Sequence, residues 1–497
     1  MRKLYLVFGM ALIFCLSGCN DWLDVRQETE QKEEEQFATY KGFCDALTGC
    51  YMTLGDKAVY GEKLTMSNIE SLANLWNPLT TDPGTERSAD YYLSLHDYES
   101  DAAREAMQAV WSKLFNVIVQ ANVIIKHVEE NKDVFDSEAA RSVVLGEAYA
   151  IRAYCQLDVL RLFGQVPQKA TIQVRLPYSE TTAFDEKPAY YAFEDYVSKL
   201  KYDLNQAESL LKDNDPIFEY TFSQLNFPTS NLLDDSYLYY RQARFNYWAV
   251  KALQARTYLY LGEKELAYGA AMAVISAKDS DGNPVMTLSG ASDIVGQGYK
   301  ACPNECLLYL SKYDIKSVAN ILIGGNDVQA NSTRLYITAT QLADLFKGQE
   351  TDSHNRYRYV WNRNVKDAAS KSCAAILKYY FADNASNQML YYQIIPMLRM
   401  SEVYLIAIET TKNLVEANQL YADYMRDRDV VLNENAFGSL DDVQGIIVDE
   451  YRREFFAEGQ TFYMYKRLNI KDVLWYTKGL TEQDYVLWKC VSTEFNA

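Results

Sequence analysis

The feature that most constrains this chain is apolar periodicity at helical spacing, recurring in paired blocks along most of its length. Trp111, Phe115, Ile118, Asn122 and Ile125 step by four and three residues and so share one helical face. Val144, Ala148, Ile151, Cys155, Val159 and Leu162 form a second stripe, which Phe163-Gly164 closes. Trp248, Ala252, Ala255 and Leu259 repeat the pattern, and Gly262 breaks it before a further helix from Lys264 to Ile275. Met397 to Thr410 and Leu414 to Arg428 read as another pair, and Val443 to Ala457 as the last strong helical segment. In the pair at 248–275, Ala255 and Ala267 stand twelve residues apart, as the close-packing positions of a tetratricopeptide unit do. Small residues there let two helix axes approach. The pattern therefore predicts a mainly α protein with a tetratricopeptide-like helical scaffold.

The repeats are not consecutive. Stretches near 165–190, 214–240 and 278–335 carry Pro, Gly, Asn, Asp and Ser without sustained period, and loops of that length usually form functional surfaces. They read as irregular, loop-rich insertions holding a few short strands, such as Glu305-Cys-Leu-Leu-Tyr-Leu310.

The N-terminus sets the compartment. Arg2 and Lys3 precede an apolar run from Leu4 to Leu16, followed by Ser17-Gly18-Cys19. That is a secretory signal, too short for a membrane span. The Leu16-Ser17-Gly18-Cys19 order matches a bacterial lipobox, so Cys19 is expected to be acylated and to become the new N-terminus. The expected organisation is a signal peptide over 1–18, a lipidated and acidic tether over 19–36, and a binding domain over 37–497.

Composition removes several functions. A formal net charge of −18 argues against nucleic acid and against anionic lipid head groups. Without Cys15 and Cys19, seven scattered cysteines remain, an odd number that forms no disulfide framework, and Cys44 and Cys50 are badly placed to bridge each other. Cys302 and Cys306 lack the second half of a zinc site, and three histidines make no metal cluster. No nucleophile, base and oxyanion donor combine, and no Gly-rich phosphate loop is present, so no catalytic residue, metal or cofactor is expected. The 40 tyrosines offer flat apolar faces with a hydroxyl, suited to half-wet contacts.

Taken together, the motifs resemble the SusD/RagB family of nutrient-binding lipoproteins. The resemblance rests on Asp21-Trp22-Leu23-Asp24 behind the lipobox, the Trp111 to Asn122 stripe, and Gly146-Glu147-Ala148-x3-Arg152-Ala153 running on to Phe163-Gly164-x-Val166-Pro167. It continues through Ala255-Arg256-x-Tyr258-Leu259, Leu398-Arg399-Met400-x-Glu402-Val403-Tyr404-Leu405 and Arg426-x-Arg428, to Glu450-x-Arg452-Arg453-Glu454-Phe455-x2-Glu458-Gly459. Tyr451, Thr461, Met464 and Thr410 depart from the family pattern.

Most of these motif residues read as structural. Asn122, on an apolar stripe, is expected to satisfy buried backbone groups. Glu147, Arg152, Arg399, Glu402, Arg452, Arg453 and Glu454 are expected to be paired charges tying helices together, because buried charges need partners. The resemblance implies a binding protein lipid-anchored at the outer membrane and exposed on the cell surface. There it would capture oligosaccharide and deliver it to a SusC-like TonB-dependent transporter. It also implies a ligand surface on the segment after the first helix and on later loops. The candidates there are Trp76, Asn77 and Arg87, with Tyr91-Tyr92 nearby, and Tyr357, Tyr359 and Trp361 in the Arg356–Trp361 cluster. Trp76 precedes Asn-Pro-Leu-Thr-Thr-Asp-Pro-Gly and is read as a loop residue. Alternatives from other classes are a RagB-like peptide binder, a helical-repeat scaffold for another protein and, less favoured, a surface glycosidase. If neither aromatic cluster holds ligand, the face lies in the 278–335 insertion.

Overall fold

The computed structural model describes residues 33–77, 88–183, 186–323, 335–349, 353–366, 372–381 and 389–491. Helices dominate them. The principal ones are α1 (Tyr40–Leu54), α2 (Asp101–Glu130), α3 (Glu138–Phe163), α4 (Phe193–Leu211), α5 (Tyr247–Leu261) and α6 (Lys264–Ile275). Then come α7 (Ile315–Leu322), α8 (Met400–Thr410), α9 (Leu414–Arg426), α10 (Val443–Glu454) and α11 (Thr461–Leu468). Their starts are capped by local chemistry. Ser100, Ser137 and Asn246 accept from the amides of Ala103, Ala140 and Ala249, which satisfies donors that the first turn would otherwise leave orphaned. Gly262, at φ +78, ends α5 in the left-handed conformation that glycine reaches most easily.

Packing follows the sequence stripes. Helix α3 lies against α1, α2 and α4, α4 against α5, α5 against α6, α6 against α8, and α8 against α9, so antiparallel pairs stack into one array. Helix α3 is buried on nearly every side, including Gly146, where an added Cβ would come within 2.9 Å of the Leu211 side chain on α4. Ala255 and Ala267 are fully buried where α5 and α6 cross, as the small-residue argument requires.

The irregular segments hold short strands, all paired antiparallel. They are β1 (Leu176–Pro177) with β2 (Tyr190–Tyr191), β3 (Cys306–Ser311) with β7 (Ile394–Arg399), and a three-stranded sheet. That sheet is ordered β4 (Ile337–Thr338), β6 (Ser372–Ile376), β5 (Trp361–Lys366). Two helical expectations need correction here. The segment from Met397 to Arg399 is strand, because Pro396 cannot enter a helix interior and β3 supplies a partner edge; α8 starts only at Met400. The 278–335 insertion also contains α7, a short amphipathic helix absent from the sequence reading. At the end of the expected tether, Glu33–Gln36 forms a helical turn and Glu33 Oε1 lies 2.7 Å from His127 Nε2, so this end rests on the folded body.

Buried charges bind the array as the motif reading expected. Arg152 meets Asp203 at 2.6 and 2.7 Å, and Asn122 donates to the Ser179 and Thr181 carbonyls at 3.1 and 2.8 Å. Arg256 holds Glu402 at 2.6 and 2.8 Å, and Arg241 pairs with both Glu147 and Asp215. Arg452 and Arg453 differ from that expectation: their ion pairs, with Asp449 at 2.9 Å and Glu450 at 2.7 Å, lie within α10, and they reach other elements through the Tyr465 hydroxyl and the Leu345 carbonyl. A larger hub joins insertion to scaffold: Arg399 bonds Glu454 and Glu458 at 2.8 Å and also Glu305, while Lys378 donates to the Glu454 and Phe456 carbonyls. All seven described cysteines are buried and unbridged.

Candidate ligand groove

The hub has a consequence at the surface. Glu305 Oε2 accepts from the Ser289 amide at 2.8 Å, and Arg356 Nη1 donates to the Ser289 carbonyl at 2.9 Å. Ser289 is thereby held from beneath by ion-paired side chains. Beside it, Asp279 Oδ1 accepts from the amides of Asp281 and Asn283 at 3.0 and 2.9 Å, with Gly282 at φ +81 completing the turn. Together with Thr221–Phe227, Gln242, Tyr299, Asn304, Tyr391 and Asp427, these segments enclose an open groove of about 870 Å³.

A file of aromatic rings begins in its wall with Phe227, Tyr391 and Tyr299 and continues outside it through Tyr392 and Phe381. Phe227 meets Tyr391 edge-on at 5.0 Å, Tyr391 meets Tyr299 at 5.6 Å, Tyr299 meets Tyr392 at 5.0 Å, and Tyr392 meets Phe381 at 5.4 Å. These centroid distances and tilts lie in the favourable range for aromatic pairs. The file is pinned: Tyr392 Oη donates to the Gln297 carbonyl at 2.7 Å, and Tyr391 Oη reaches Gln242 Oε1 at 3.5 Å. Burial pushes the Tyr299 hydroxyl up to about 12, helped by Tyr392 and Tyr391, so it stays a neutral donor at any physiological pH. Phe381 continues into a second groove of about 570 Å³, shared with Tyr313, Asp314, Lys316, Ser317, Asn320, Tyr380 and Gln393. There Lys316 Nζ sits 5.2 Å from the Tyr380 ring centre and 5.0 Å from that of Phe381.

The residues singled out from sequence fare differently. Trp76 is not a surface loop residue. Asn74, at φ +56, reverses the chain after the short helix Asn68–Leu72, and Trp76 turns inward at 3% exposure. Its indole N–H donates to the Met66 carbonyl at 2.8 Å and its ring stands edge-on to Phe456 at 4.7 Å. Trp361 meets the same Phe456 at 5.0 Å and is equally buried. The structure thus brings the two tryptophans together, but inside the core. Trp361 and Tyr359 also border a groove of about 520 Å³ with Arg358, Asn362, Arg363, Asn364 and Leu377, of which Tyr359 offers the half-buried ring. Tyr357 is half-buried between Phe346 and Arg363. Asn77 is half-buried, and its amide donates to the Tyr336 carbonyl at 3.2 Å. Tyr91 and Tyr92 pack edge-to-face at 5.4 Å on the helix Ala89–Ser94. Arg87 and Cys19 lie outside the described residues.

The aromatic file itself was missed. Its members come from 227, 299, 381 and 391–392, and only long-range packing makes them neighbours. The paired aromatics Tyr380-Phe381 and Tyr391-Tyr392 are the available signal in the sequence, and Tyr299 falls in the 278–335 insertion that is the fallback position of the ligand face.

Comparison with known proteins agrees with this architecture. A family model described as SusD-like, "Starch-binding associating with outer membrane", matches residues 21–225. A SusD superfamily protein from Bacteroides thetaiotaomicron superposes with a TM-score of 0.67 at 19% identity, covering 92% of this chain and 98% of that one. Over residues 21–225 the chain is similar to the SusD-like family. SusD-like protein P25 from Formosa agariphila is 24% identical over 34% of this chain and 31% of its own length. The chain thus spans about a third of that curated relative, by the same 31%. A laminarin-binding SusD-like protein shares the fold at a TM-score of 0.60 and 15% identity, covering 87% of this chain and 90% of the other. Among the described residues, no helix of this chain is long and apolar enough to cross a membrane.

Proposed function

We propose that this chain is a glycan-binding lipoprotein of the outer membrane, anchored through Cys19 and facing outward. It captures oligosaccharide for a SusC-like TonB-dependent transporter. The observation that carries the reading is the pinned aromatic file along an open groove rich in hydroxyl, amide and carboxylate groups. Sugar rings present apolar C–H faces that stack on aromatic side chains, and hydroxyl edges that bond polar ones. The family description and the laminarin-binding neighbour support the same ligand class. The role is binding: the groove gathers acceptors and flat faces, and burial holds the Tyr299 proton in place rather than freeing it for transfer.

The test is a combined glycan and peptide array probed with wild type and with Tyr391→Ala. Glycan binding that falls at least tenfold in the variant, while thermal stability holds, is the expected result. Peptide binding without glycan binding would move the chain to the RagB-like alternative. Glycan binding untouched by Tyr391→Ala but lost in Tyr359→Ala would transfer the site to the groove beside Trp361. Uptake is tested separately: tagged protein extracted under mild detergent should bring a TonB-dependent β-barrel with it, and Cys19→Ala should lose the membrane fraction.

A further inference from the structure

The two aromatic grooves differ in charge. The larger one is lined by four carboxylates, Asp279, Asp281, Asp293 and Asp427, and by no lysine or arginine among the described residues. The cations nearest to it stay outside the lining: Lys278 and Arg426 are exposed beside Asp279 and Asp427, and Arg426 pairs with Asp423. Arg356 and Arg428 are buried, and both lie within ion-pair distance of Glu454. Lys300 is half-buried and points toward Tyr380 at 5.9 Å. Asn304 Nδ2 donates to Asp293 Oδ1 at 2.6 Å, and both residues line the groove. Asp281 is exposed, and Asp279 and Asp427 are half-exposed. The second groove is balanced instead, with Asp314 and Lys316 in its lining and Lys316 over its rings.

We infer that the larger groove takes glycans without acid groups, prefers those bearing amino groups, and turns away uronate- and sulfate-bearing chains. The inference rests on the glycan-binding reading above and names the substrate class of that site. Carboxylates accept hydrogen bonds from neutral sugar hydroxyls, and such charge-assisted bonds are stronger than neutral ones. An ammonium on the sugar adds direct attraction within a screening length of about 8 Å at physiological salt. A ligand carboxylate or sulfate meets four like charges in a lining that holds no lysine or arginine among the described residues, and like-charge juxtaposition is how interfaces exclude wrong partners. The carboxylates do not make the site by themselves; the stacked rings do, and the carboxylates set which ring substituents it tolerates.

The experiment uses the detergent-solubilised full-length protein and three matched oligosaccharide probes: chitosan (amino), laminarin-derived (neutral) and oligogalacturonate (acidic). A broad glycan array accompanies them. The expected order of affinity is amino over neutral, with the acidic probe unbound and acidic array members absent from the binders. Asp281→Asn and Asp427→Asn should each weaken the amino probe by up to about fivefold, the scale of an exposed charge pair, and weaken the neutral probe by less. High salt should shrink the difference between amino and neutral probes. Circular dichroism establishes that both variants fold. Tight binding of oligogalacturonate or of a sulfated glycan, lost on Tyr391→Ala, overturns the charge rule while leaving glycan binding intact. Acidic binding that survives Tyr391→Ala also overturns it, because recognition then lies outside this groove. Absence of any glycan binder removes the parent reading, and the inference with it.

Discussion

Tyrosine is used in opposite ways in the helical array and on the loop-built face. Inside the array its hydroxyl closes buried ionic clusters: Tyr51 and Tyr237 donate to Glu147 at 2.9 and 3.1 Å, Tyr60 donates to Asp158 at 2.6 Å, and Tyr178 donates to Asp203. At the face, half-buried Tyr391 and Tyr392 pack against the buried ring of Tyr299, and their hydroxyls meet the Asn226 and Gln242 amides and the Gln297 carbonyl rather than ion pairs. The same contrast holds for acids. Glu147 and Asp215 have zero side-chain exposure and share Arg241, whereas Asp281 is exposed in the lining of the groove. One region spends its polar groups on itself, and the other leaves them for a visitor. Substitutions in the first should therefore change stability and spare binding, and those in the second should do the reverse.

The largest expected effect is at Arg241. Its guanidinium holds Asp215 at 3.0 Å through two nitrogens, bonds Glu147, and donates to the Phe245 carbonyl at 2.7 Å. Arg241→Ala strands two buried carboxylates, a loss of about 3–5 kcal/mol when one partner of a buried pair is removed. Urea denaturation should show it as a shifted midpoint, and whatever fraction stays folded should bind glycan normally. Weakened binding at intact stability would break the division between array and face.

Next comes Trp76→Ala. The loop reading from sequence implied weakened binding with an unchanged melting temperature. Burial at 3%, the bond to Met66 and the edge contact with Phe456 now reverse that expectation. Truncating a buried tryptophan costs about 3–5 kcal/mol. The melting temperature should fall by several degrees and the affinity of the folded protein should stay within twofold.

Glu70 gives the array a pH signature. It is fully buried, and desolvation raises its pKa to about 8 against the opposing pull of the Gly459 amide and Lys378. The folded state therefore holds a proton that the unfolded state releases near 4.5, so this group's stabilisation is complete at low pH and is lost as pH rises from about 4.5 to about 8. The slope is at most about 1.4 kcal/mol per pH unit. His96 and Lys466, whose pKa values burial lowers, work in the other direction. Comparing wild type with Glu70→Gln removes those shared contributions. The variant should lose stability less steeply between pH 5 and 8, by about one slope of that size, and identical pH profiles would show that Glu70 is ionised in the folded protein.

On the face, Tyr391 stands mid-file between Phe227 and Tyr299, so Tyr391→Ala should weaken glycan binding by about tenfold, or about 1.4 kcal/mol. Tyr391→Phe should cost little if stacking dominates, because its hydroxyl contacts are long, at 3.5 Å. Calorimetric titration of both variants separates ring from hydroxyl.

Legibility in the sequence divided along the same line. Helical stripes such as Val144 to Leu162 are local, with period 3.6, and the structure reproduces them because a buried helix shows its face in its own residues. Paired charges such as Arg256 and Glu402 were legible as needing partners, since few other fates exist for buried ions. Their specific partners were not: Arg256 and Glu402 lie 146 positions apart. The ligand face depended entirely on such long-range meetings. Phe227, Tyr299 and Tyr391 carry no common period, and each alone looks like any loop aromatic. Trp76 misled for the opposite reason: a turn-forming sequence follows it, but the single left-handed residue Asn74 decides which way the indole points.

The smallest expected effect lies at the far end of the file. Tyr313 is 82% exposed and borders the second groove beside Tyr380 and Phe381. An exposed ring loses little on truncation in the free protein, so Tyr313→Ala should leave the melting temperature unchanged. Its contribution to binding depends on ligand length, because a short oligosaccharide seated against Tyr391 does not reach past Tyr392 and Phe381. For such a ligand the variant should match wild type. For a chain long enough to cross both grooves, one stacking contact at the rim is worth about 0.5–1 kcal/mol, or roughly two- to fivefold in affinity. Titrating a ladder of increasing chain length against wild type and Tyr313→Ala therefore reads the geometry directly. The two curves should coincide for short chains and separate beyond a threshold. Curves that coincide at every length would confine the ligand to the acidic groove, and curves separated from the shortest chain onward would place the first sugar beside Tyr313 rather than Tyr391.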